Sequence, residues 1–242
     1  MDGLIQTGIS GLDAMLYGGI PVRNQVLLSA GAGAGKTLLS FEYAARNAIA
    51  GKTCIFFSVE EEKEMIVGNA KLAFKDLAKQ IDGVIESGKL IVNTDLAKEL
   101  STLGKLDYDF GDVISHIEST IVSTGATCVV IDSLSVFEVM LKEPPVYRRY
   151  VLSLIFNMRR LGVTSIMTVE MDSPDRADLR FRPESFVFDG VVVMYQTGEE
   201  SKRMLALEVL KMRGAKHSFV TAPYEITPSG FKVFAVEEIV PD

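Results

Sequence analysis

The sequence predicts an α/β fold: a mostly parallel sheet flanked by helices on both faces, with antiparallel strands at its C-terminal end. Three observations carry this reading. Short β-branched runs alternate with longer segments of helical period, the signature of βα units. The first strong strand runs through a loop of glycine and alanine directly into a helix. Beyond Val187 only strand-like runs separated by polar turns remain, which reads as antiparallel pairing. A chain of 242 residues suits one domain, expected to span 1–242, and buries a sizeable core without disulfides or a structural metal.

The elements follow in order. Thr7-Gly8-Ile9-Ser10-Gly11-Leu12-Asp13 is turn-rich, and a short helix from Asp13 to Leu16 ends at Gly18-Gly19-Ile20-Pro21. Gln25 to Ser29 is the first core strand, around Val26-Leu27-Leu28. A helix runs from Lys36 to Ala50, with Leu38, Leu39, Phe41, Ala44 and Ala45 at helical spacing and Gly51 as its C-cap. Thr53 to Val59 is the second strand, Glu60 to Phe74 and Lys75 to Ile85 are helices, and Leu90 to Val92 is the third strand. Thr94 to Gly111 has too weak a period to place. A helix from Asp112 to Thr124 leads to the fourth strand, Cys128 to Ile131. After Pro144-Pro145 come a long helix to Leu161 and a fifth strand, Val163 to Val169. A polar loop, Met171 to Pro183, precedes a β-pair, Val187 to Tyr195 and Leu205 to Lys211, joined by the polar turn Gln196 to Lys202. Tyr224 to Val236 supplies the remaining antiparallel strands.

Composition narrows the function classes. Hydrophobic residues make up 48% and charged residues 24%, an ordinary globular mix. A net charge of −7 disfavours non-specific binding to nucleic acid or an anionic membrane. Cys54 and Cys128 each sit in an apolar run and are expected as buried, reduced core thiols. Neither they nor the distant His116 and His217 have metal-ligand spacing. Met1 to Gly8 carries no long apolar stretch, and every apolar run falls well short of the roughly 20 residues of a membrane span. A cytoplasmic location without membrane contact is expected.

The chemistry concentrates in Ala30-Gly31-Ala32-Gly33-Ala34-Gly35-Lys36-Thr37, placed between a strand and a helix as a phosphate-binding P-loop requires. Small residues let successive backbone N–H groups close around a phosphate chain, and the following helix N-terminus adds partial positive charge. Gly31, Ala32, Gly33, Ala34, Gly35, Lys36, Thr37 and Leu38 are therefore the expected nucleotide-binding stretch, with Lys36 on the β- and γ-phosphates and the Thr37 hydroxyl on Mg²⁺. Ala30 replaces the first glycine of G-x-x-x-x-G-K-[ST]; the exchange matters only if that position needs a positive φ. ATP and Mg²⁺ are the expected cofactors. Asp132, at the C-terminal end of a buried strand, fits the carboxylate that holds Mg²⁺, although the same residue type also forms turns. Glu60-Glu61-Glu62 ends the second strand. Carboxylates there read equally as a general base for an attacking water or as acids favoured by a helix N-terminus.

Taken together, these blocks resemble the RecA-like P-loop NTPases and, within them, the KaiC group of ATPases. The resemblance runs from Thr7 to Phe234. It rests on the Thr7–Asp13 block, Gly18-Gly19-Ile20-Pro21, the P-loop, Phe56-Phe57-Ser58-Val59-Glu60-Glu61, Val129-Val130-Ile131-Asp132-Ser133-Leu134-Ser135 and Thr168-Val169-Glu170. It closes with Lys211-Met212-Arg213-Gly214-Ala215-Lys216-His217 and Tyr224-Glu225-Ile226-Thr227. The resemblance implies a RecA-like core sheet and ATPase activity with Glu60 and Glu61 as the adjacent catalytic glutamates. It also implies a homo-hexamer with ATP between subunits, in which Lys211, Arg213 and His217 reach the neighbour's nucleotide. A cation supplied only on assembly stabilises transition-state charge. Without that implication, Lys211 and Arg213 are simply two residues on one face of a strand.

The clock protein of that group has two ATPase domains and this chain has one. Where its second domain carries an adjacent Ser-Thr pair that it phosphorylates, Glu184-Ser185-Phe186-Val187 offers only Ser185, so no clock-style autokinase is expected. In the Met171–Pro183 loop, Arg176, Arg180 and Arg182 alternate with Asp172, Asp175 and Asp178, and Phe181 is its one aromatic residue, which does not favour nucleic acid binding. The sequence thus predicts a homo-oligomeric, Mg²⁺-dependent ATPase acting as a switch, with a regulatory protein as a further partner. A non-hydrolysing ATP-binding scaffold and a DNA-repair accessory ATPase are the alternatives.

Overall fold

Strands that are apolar at every position have to be buried on both faces, and such runs build the centre of this protein. The computed structural model describes residues 3–96, 110–171, 173, 183–197 and 204–235. In chain order the elements are β1 (Leu4–Ile5), α1 (Leu12–Met15), β2 (Ile20–Pro21), β3 (Gln25–Ala30), α2 (Lys36–Ile49), β4 (Cys54–Ser58), α3 (Lys63–Ala73), α4 (Ala78–Glu86) and β5 (Leu90–Asn93). They continue with α5 (Phe110–Thr124), β6 (Cys128–Asp132), α6 (Leu134–Leu141), α7 (Pro144–Leu161), β7 (Thr164–Glu170), a 3₁₀ turn (Pro183–Phe186), β8 (Gly190–Thr197), β9 (Met204–Met212), β10 (Ala222–Thr227) and β11 (Gly230–Val233).

Nine strands form one sheet in the order β11-β10-β9-β8-β3-β7-β6-β4-β5. From β8 to β5 every pairing is parallel, and β3 lies between β7 and β8. Strands β9, β10 and β11 add an antiparallel extension, so the fold is the α/β class the sequence predicts. Period-two alternation splits the central strands between two cores. Val26, Leu28, Phe56 and Val130 pack on the side of α2, α3 and α4; Leu27, Ile55, Phe57, Val129 and Ile131 pack on the side of α5, α6 and α7. Cys54 and Cys128 are register partners on β4 and β6, both free and buried.

The turn-rich N-terminal block has a structural job. The Asp13 carboxylate accepts bonds from Thr7 N (2.6 Å), Thr7 Oγ1 (2.7 Å) and Gly8 N (3.0 Å), folding the block back on itself. Ser10 O then accepts Val233 N at 2.8 Å, tying the block to β11. Gly11 opens α1 at φ 83, and a Cβ there would lie 1.9 Å from Val233 O, so only glycine fits this approach.

One local expectation is corrected, and two elements are added to the sequence reading. Glu60 and Glu61 do not begin a helix: α3 starts at Lys63, because Ser58 Oγ accepts Glu61 N (3.0 Å) and donates to Glu61 O (2.8 Å), folding the segment into a side-chain-stabilised bend. The sequence reading leaves the segment after Ser133 unassigned; it forms α6, which Ser133 caps by accepting Ser135 N at 3.3 Å. The short β1–β2 sheet is absent from the sequence reading. The arginines at 176, 180 and 182 lie outside the described residues. Among the described residues no helix is long and apolar enough to cross a membrane.

Candidate functional site

The phosphate loop leaves β3 at the point where the sheet order reverses, with β7 on one side and β8 on the other. Crevices at such switch points, beyond the carboxyl ends of parallel strands, are where α/β folds bind ligands. Ala30 ends β3 without a positive φ, so the alanine in place of glycine is accommodated without strain. The positive φ values fall on Gly33 (φ 76) and Gly35 (φ 86), and Gly35 is the N-cap of α2. Lys36 and Thr37 are the first residues of that helix. An alternation of left-handed glycines with a helix N-terminus directs main-chain N–H groups into one concavity.

Thr37 and Asp132 meet at the mouth of the loop. Thr37 Oγ1 donates to Asp132 Oδ2 at 2.8 Å, across 95 residues of sequence. Thr168 of β7 donates to the other carboxylate oxygen and fixes the carboxylate's orientation. Asp132 itself is 7% exposed. Two hard oxygens at this spacing suit Mg²⁺, which takes one or two protein oxygens and completes its shell with phosphate and water. Among the described residues no group of three or more His, Cys, Asp or Glu side chains forms a self-contained metal cage.

The acidic pair stands beside this position. Ser58 and Asp132 are register partners on β4 and β6, so the Ser58 bend carries Glu60 and Glu61 to the Asp132 end of the sheet. The two glutamates are held differently. Ser133 Oγ donates to Glu60 Oε1 at 2.6 Å, whereas no partner of that kind fixes the Glu61 carboxylate among the described residues. Burial, then the neighbouring Asp132 and Glu60 charges, push the Glu61 carboxyl above its ordinary range, and Lys36 partly offsets them. Lys36 Nζ lies 3.7 Å from Glu170 Oε1, a largely exposed carboxylate whose pull on it is screened. Glu170 N in turn donates to Ser135 Oγ at 2.8 Å.

The expected trans-acting residues stand elsewhere. Lys211 pairs with Val191, next to the Gly190–Met212 pair at the start of β8, and Gly190 pairs with Val26 of β3. Val26 to Ala30 spans about 13 Å of strand, so Lys211 and Arg213 lie toward the end of the sheet opposite to their own phosphate loop. Lys211 Nζ donates to Ser185 O (3.0 Å) and Arg213 Nη2 to Phe186 O (3.0 Å). Burial and the neighbouring Arg213 and Arg159 lower the Lys211 pKa, with Asp189 opposing them. The His217 ring packs at a tilt against Phe219 with ring centroids 4.7 Å apart, and among the described residues its buried Nε2 has no hydrogen-bond partner. Ser185 is buried.

Within one chain, then, Lys36, Thr37, Asp132, Glu60 and Glu61 come together, and Lys211, Arg213 and His217 do not join them. The sequence reading assigns no role to Ser133 and Thr168, which orient the carboxylates. Both hydroxyls stand within the blocks that carry the resemblance, which is the available signal.

Comparison with known proteins fits this geometry. A family model described as "ATPase: KaiC" matches residues 5–238. The chain is 31% identical over 232 residues to the circadian clock oscillator protein KaiC of Synechococcus elongatus, covering 95% of this chain and 44% of that protein. It is 32% identical over 234 residues to the protein of the same name from Picosynechococcus, and 32% over 231 residues to that of Thermosynechococcus vestitus, with the same coverage. The chain spans less than half the length of these relatives. The chain belongs to the KaiC family of ATPases.

Proposed function

We propose that residues 1–242 act as one ATPase domain that binds Mg²⁺ and ATP and hydrolyses the γ-phosphate. It would work as a homo-hexamer in the cytoplasm, with nucleotide at each subunit interface, and its turnover would serve as a switch for a regulatory partner. The observation that supports this most is the 2.8 Å contact of Thr37 with Asp132 beside the phosphate loop, with the glutamate pair alongside. A phosphate cradle, a Mg²⁺ carboxylate and a base in one crevice are the parts phosphoryl transfer to water needs.

In this reading the loop amides and Lys36 bind the β- and γ-phosphates. Thr37 Oγ1 and Asp132 Oδ2 would hold Mg²⁺, which supplies charge neutralisation on those phosphates when bound. Ser133 holds Glu60 in a fixed orientation beside the attacking water, and the Glu61 carboxylate accepts the water's proton. Lys211 and Arg213 arrive from the neighbouring subunit, since their own loop lies at the other end of the sheet. His217 follows the same strand and would contact the neighbour's nucleotide as well.

The direct test measures ATP turnover with Mg²⁺ together with mass in solution, for wild type and Lys36→Ala. Turnover by a ring-sized particle, with ATP binding weakened at least tenfold in the variant, is the expected outcome. A wild type that neither binds nor hydrolyses ATP refutes the reading.

The Glu61 environment adds a pH prediction. Glu61 acts as base only when ionised, so the rate falls as pH drops through its pKa. Because burial, Asp132 and Glu60 raise that pKa, the acid limb of the rate profile lies above the ordinary glutamate value of about 4.3. Glu60→Gln removes one of the repelling charges, and the limb of its residual activity is expected at lower pH than in wild type. A limb that stays in place, measured across a pH series at saturating ATP, assigns the proton to another group.

A further inference from the structure

The phosphate loop is braced from a direction that the site chemistry does not use. Amides that turn inward to a phosphate leave their carbonyls turned outward, and an outward carbonyl is held only if something meets it. At Ala34 that partner is Tyr224 of β10, whose hydroxyl donates to Ala34 O at 2.5 Å. Tyr224 is 3% exposed, and burial raises its hydroxyl pKa, so at neutral pH it remains a donor. The next residue, Gly35, sits against the same hairpin: a Cβ there would lie 3.0 Å from Ile226 Cδ1 and 3.1 Å from Phe231 Cζ.

The β10–β11 hairpin is itself fastened to α2, the helix that the loop begins. Glu42 is fully buried, and its Oε2 accepts Phe231 N at 2.7 Å. Glu42 Oε1 accepts Arg46 Nη2 at 2.8 Å, and the same Arg46 nitrogen donates to Ser229 O at 2.5 Å. The approach is close enough that a Cβ on Gly230 would lie 2.0 Å from Glu42 Oε1. Loop, hairpin and helix thus form a closed circuit: Ala34 to Tyr224, through the hairpin to Phe231, to Glu42, and back along α2 to Gly35.

We infer that Tyr224 is a positioning residue for the phosphate loop, acting through Ala34 O, and that buried Glu42, paired with the partly exposed Arg46, sets its placement by anchoring the hairpin. The inference rests on the reading of this loop as the ATP site, and it makes the loop's binding geometry a property of a strand 190 residues away in sequence.

Tyr224→Phe removes the hydroxyl and keeps the ring that packs on Phe231. Two measurements decide. In the nucleotide-free protein, amide exchange in the 31–38 peptide is expected to speed about fivefold while the other central strands keep their protection, the size of one lost hydrogen bond. Equilibrium binding of ATP is expected to weaken by about the same factor. Glu42→Gln, which leaves Tyr224 untouched, is expected to shift both in the same direction by less. If both variants exchange like wild type at 31–38, or if protection falls evenly across the whole sheet, the residues only pack and the positioning role is overturned. Wild type that fails to bind ATP, with Lys36→Ala as control, sinks the ATP reading. The exchange result in the absence of nucleotide still judges the brace separately.

Discussion

The Glu60→Gln/Glu61→Gln double variant is expected to bind ATP as wild type does and to turn it over about 10²–10⁴-fold more slowly. Each substitution is close to isosteric. The amide that Glu60→Gln introduces still offers an oxygen to the Ser133 hydroxyl, which donates to Glu60 Oε1 at 2.6 Å in wild type. The Ser58 bend that carries both residues uses main-chain atoms of Glu61, which the change does not touch. In the proposed site phosphate binding would depend on the loop and on Lys36, Thr37 and Asp132, all of which remain. Removing two negative charges beside Asp132 also relieves repulsion toward the nucleotide, so affinity is expected to hold or rise. Single variants separate the roles. Glu61→Gln loses the carboxylate whose pKa is raised and is expected to carry most of the effect, whereas Glu60→Gln keeps its Ser133 bond and retains measurable activity. The measurement is single-turnover hydrolysis with a parallel binding titration. Wild type that binds ATP but is as slow as the double variant would make the chain a nucleotide-gated scaffold.

How far the sequence alone reaches depends on distance along the chain. Strands such as Cys128–Asp132 are legible because continuous apolar runs fit only a strand buried on both faces, and Lys36–Ile49 because its apolar stripe has helical spacing. The α6 segment, Leu134–Leu141, is hidden because Leu-Ser-Val-Phe-Glu-Val-Met-Leu is apolar nearly all round and follows a strand without a break; only the Ser133 cap marks its start. Glu60 reads as helical from its neighbours, yet one side chain, Ser58, bends the backbone against that local propensity. In the site, the Lys36-Thr37 pair is legible since its spacing is local. The Ser133–Glu60 bond joins residues 73 apart, and the Tyr224–Ala34 bond residues 190 apart. No periodicity encodes such pairs; they appear only once β4 lies beside β6 and the hairpin has closed on α2.

Arg213→Ala is expected to lower turnover about 10³-fold or more, the scale of an arginine acting on a phosphoryl transition state, and to leave each protomer's own phosphate loop intact. The placement of Arg213 makes this a test of assembly. Its guanidinium is bound to Phe186 O at 3.0 Å and lies 4.0 Å from Asp189 Oδ1, beside the start of β8 and not at the phosphate loop. An effect on chemistry therefore has to come through the neighbour. If it does, two inactive proteins should repair one another. An Arg213→Ala subunit supplies a complete loop with Glu60 and Glu61, and a Glu60→Gln/Glu61→Gln subunit supplies the missing cation. In a ring assembled at random from equal amounts, about a quarter of the interfaces pair the two in the productive order, so the mixture should recover about a quarter of wild-type turnover. Lys211→Ala is expected to complement in the same way, because Lys211 leaves the same end of β9 and is held by the adjacent carbonyl of Ser185. Recovery that rises with the time allowed for subunit exchange would establish that the active site is shared. A mixture as silent as its parts, from proteins shown to co-assemble, would return Lys211 and Arg213 to the role of a strand face latched to the Pro183–Phe186 turn, and the catalytic cation would have to be sought within the chain.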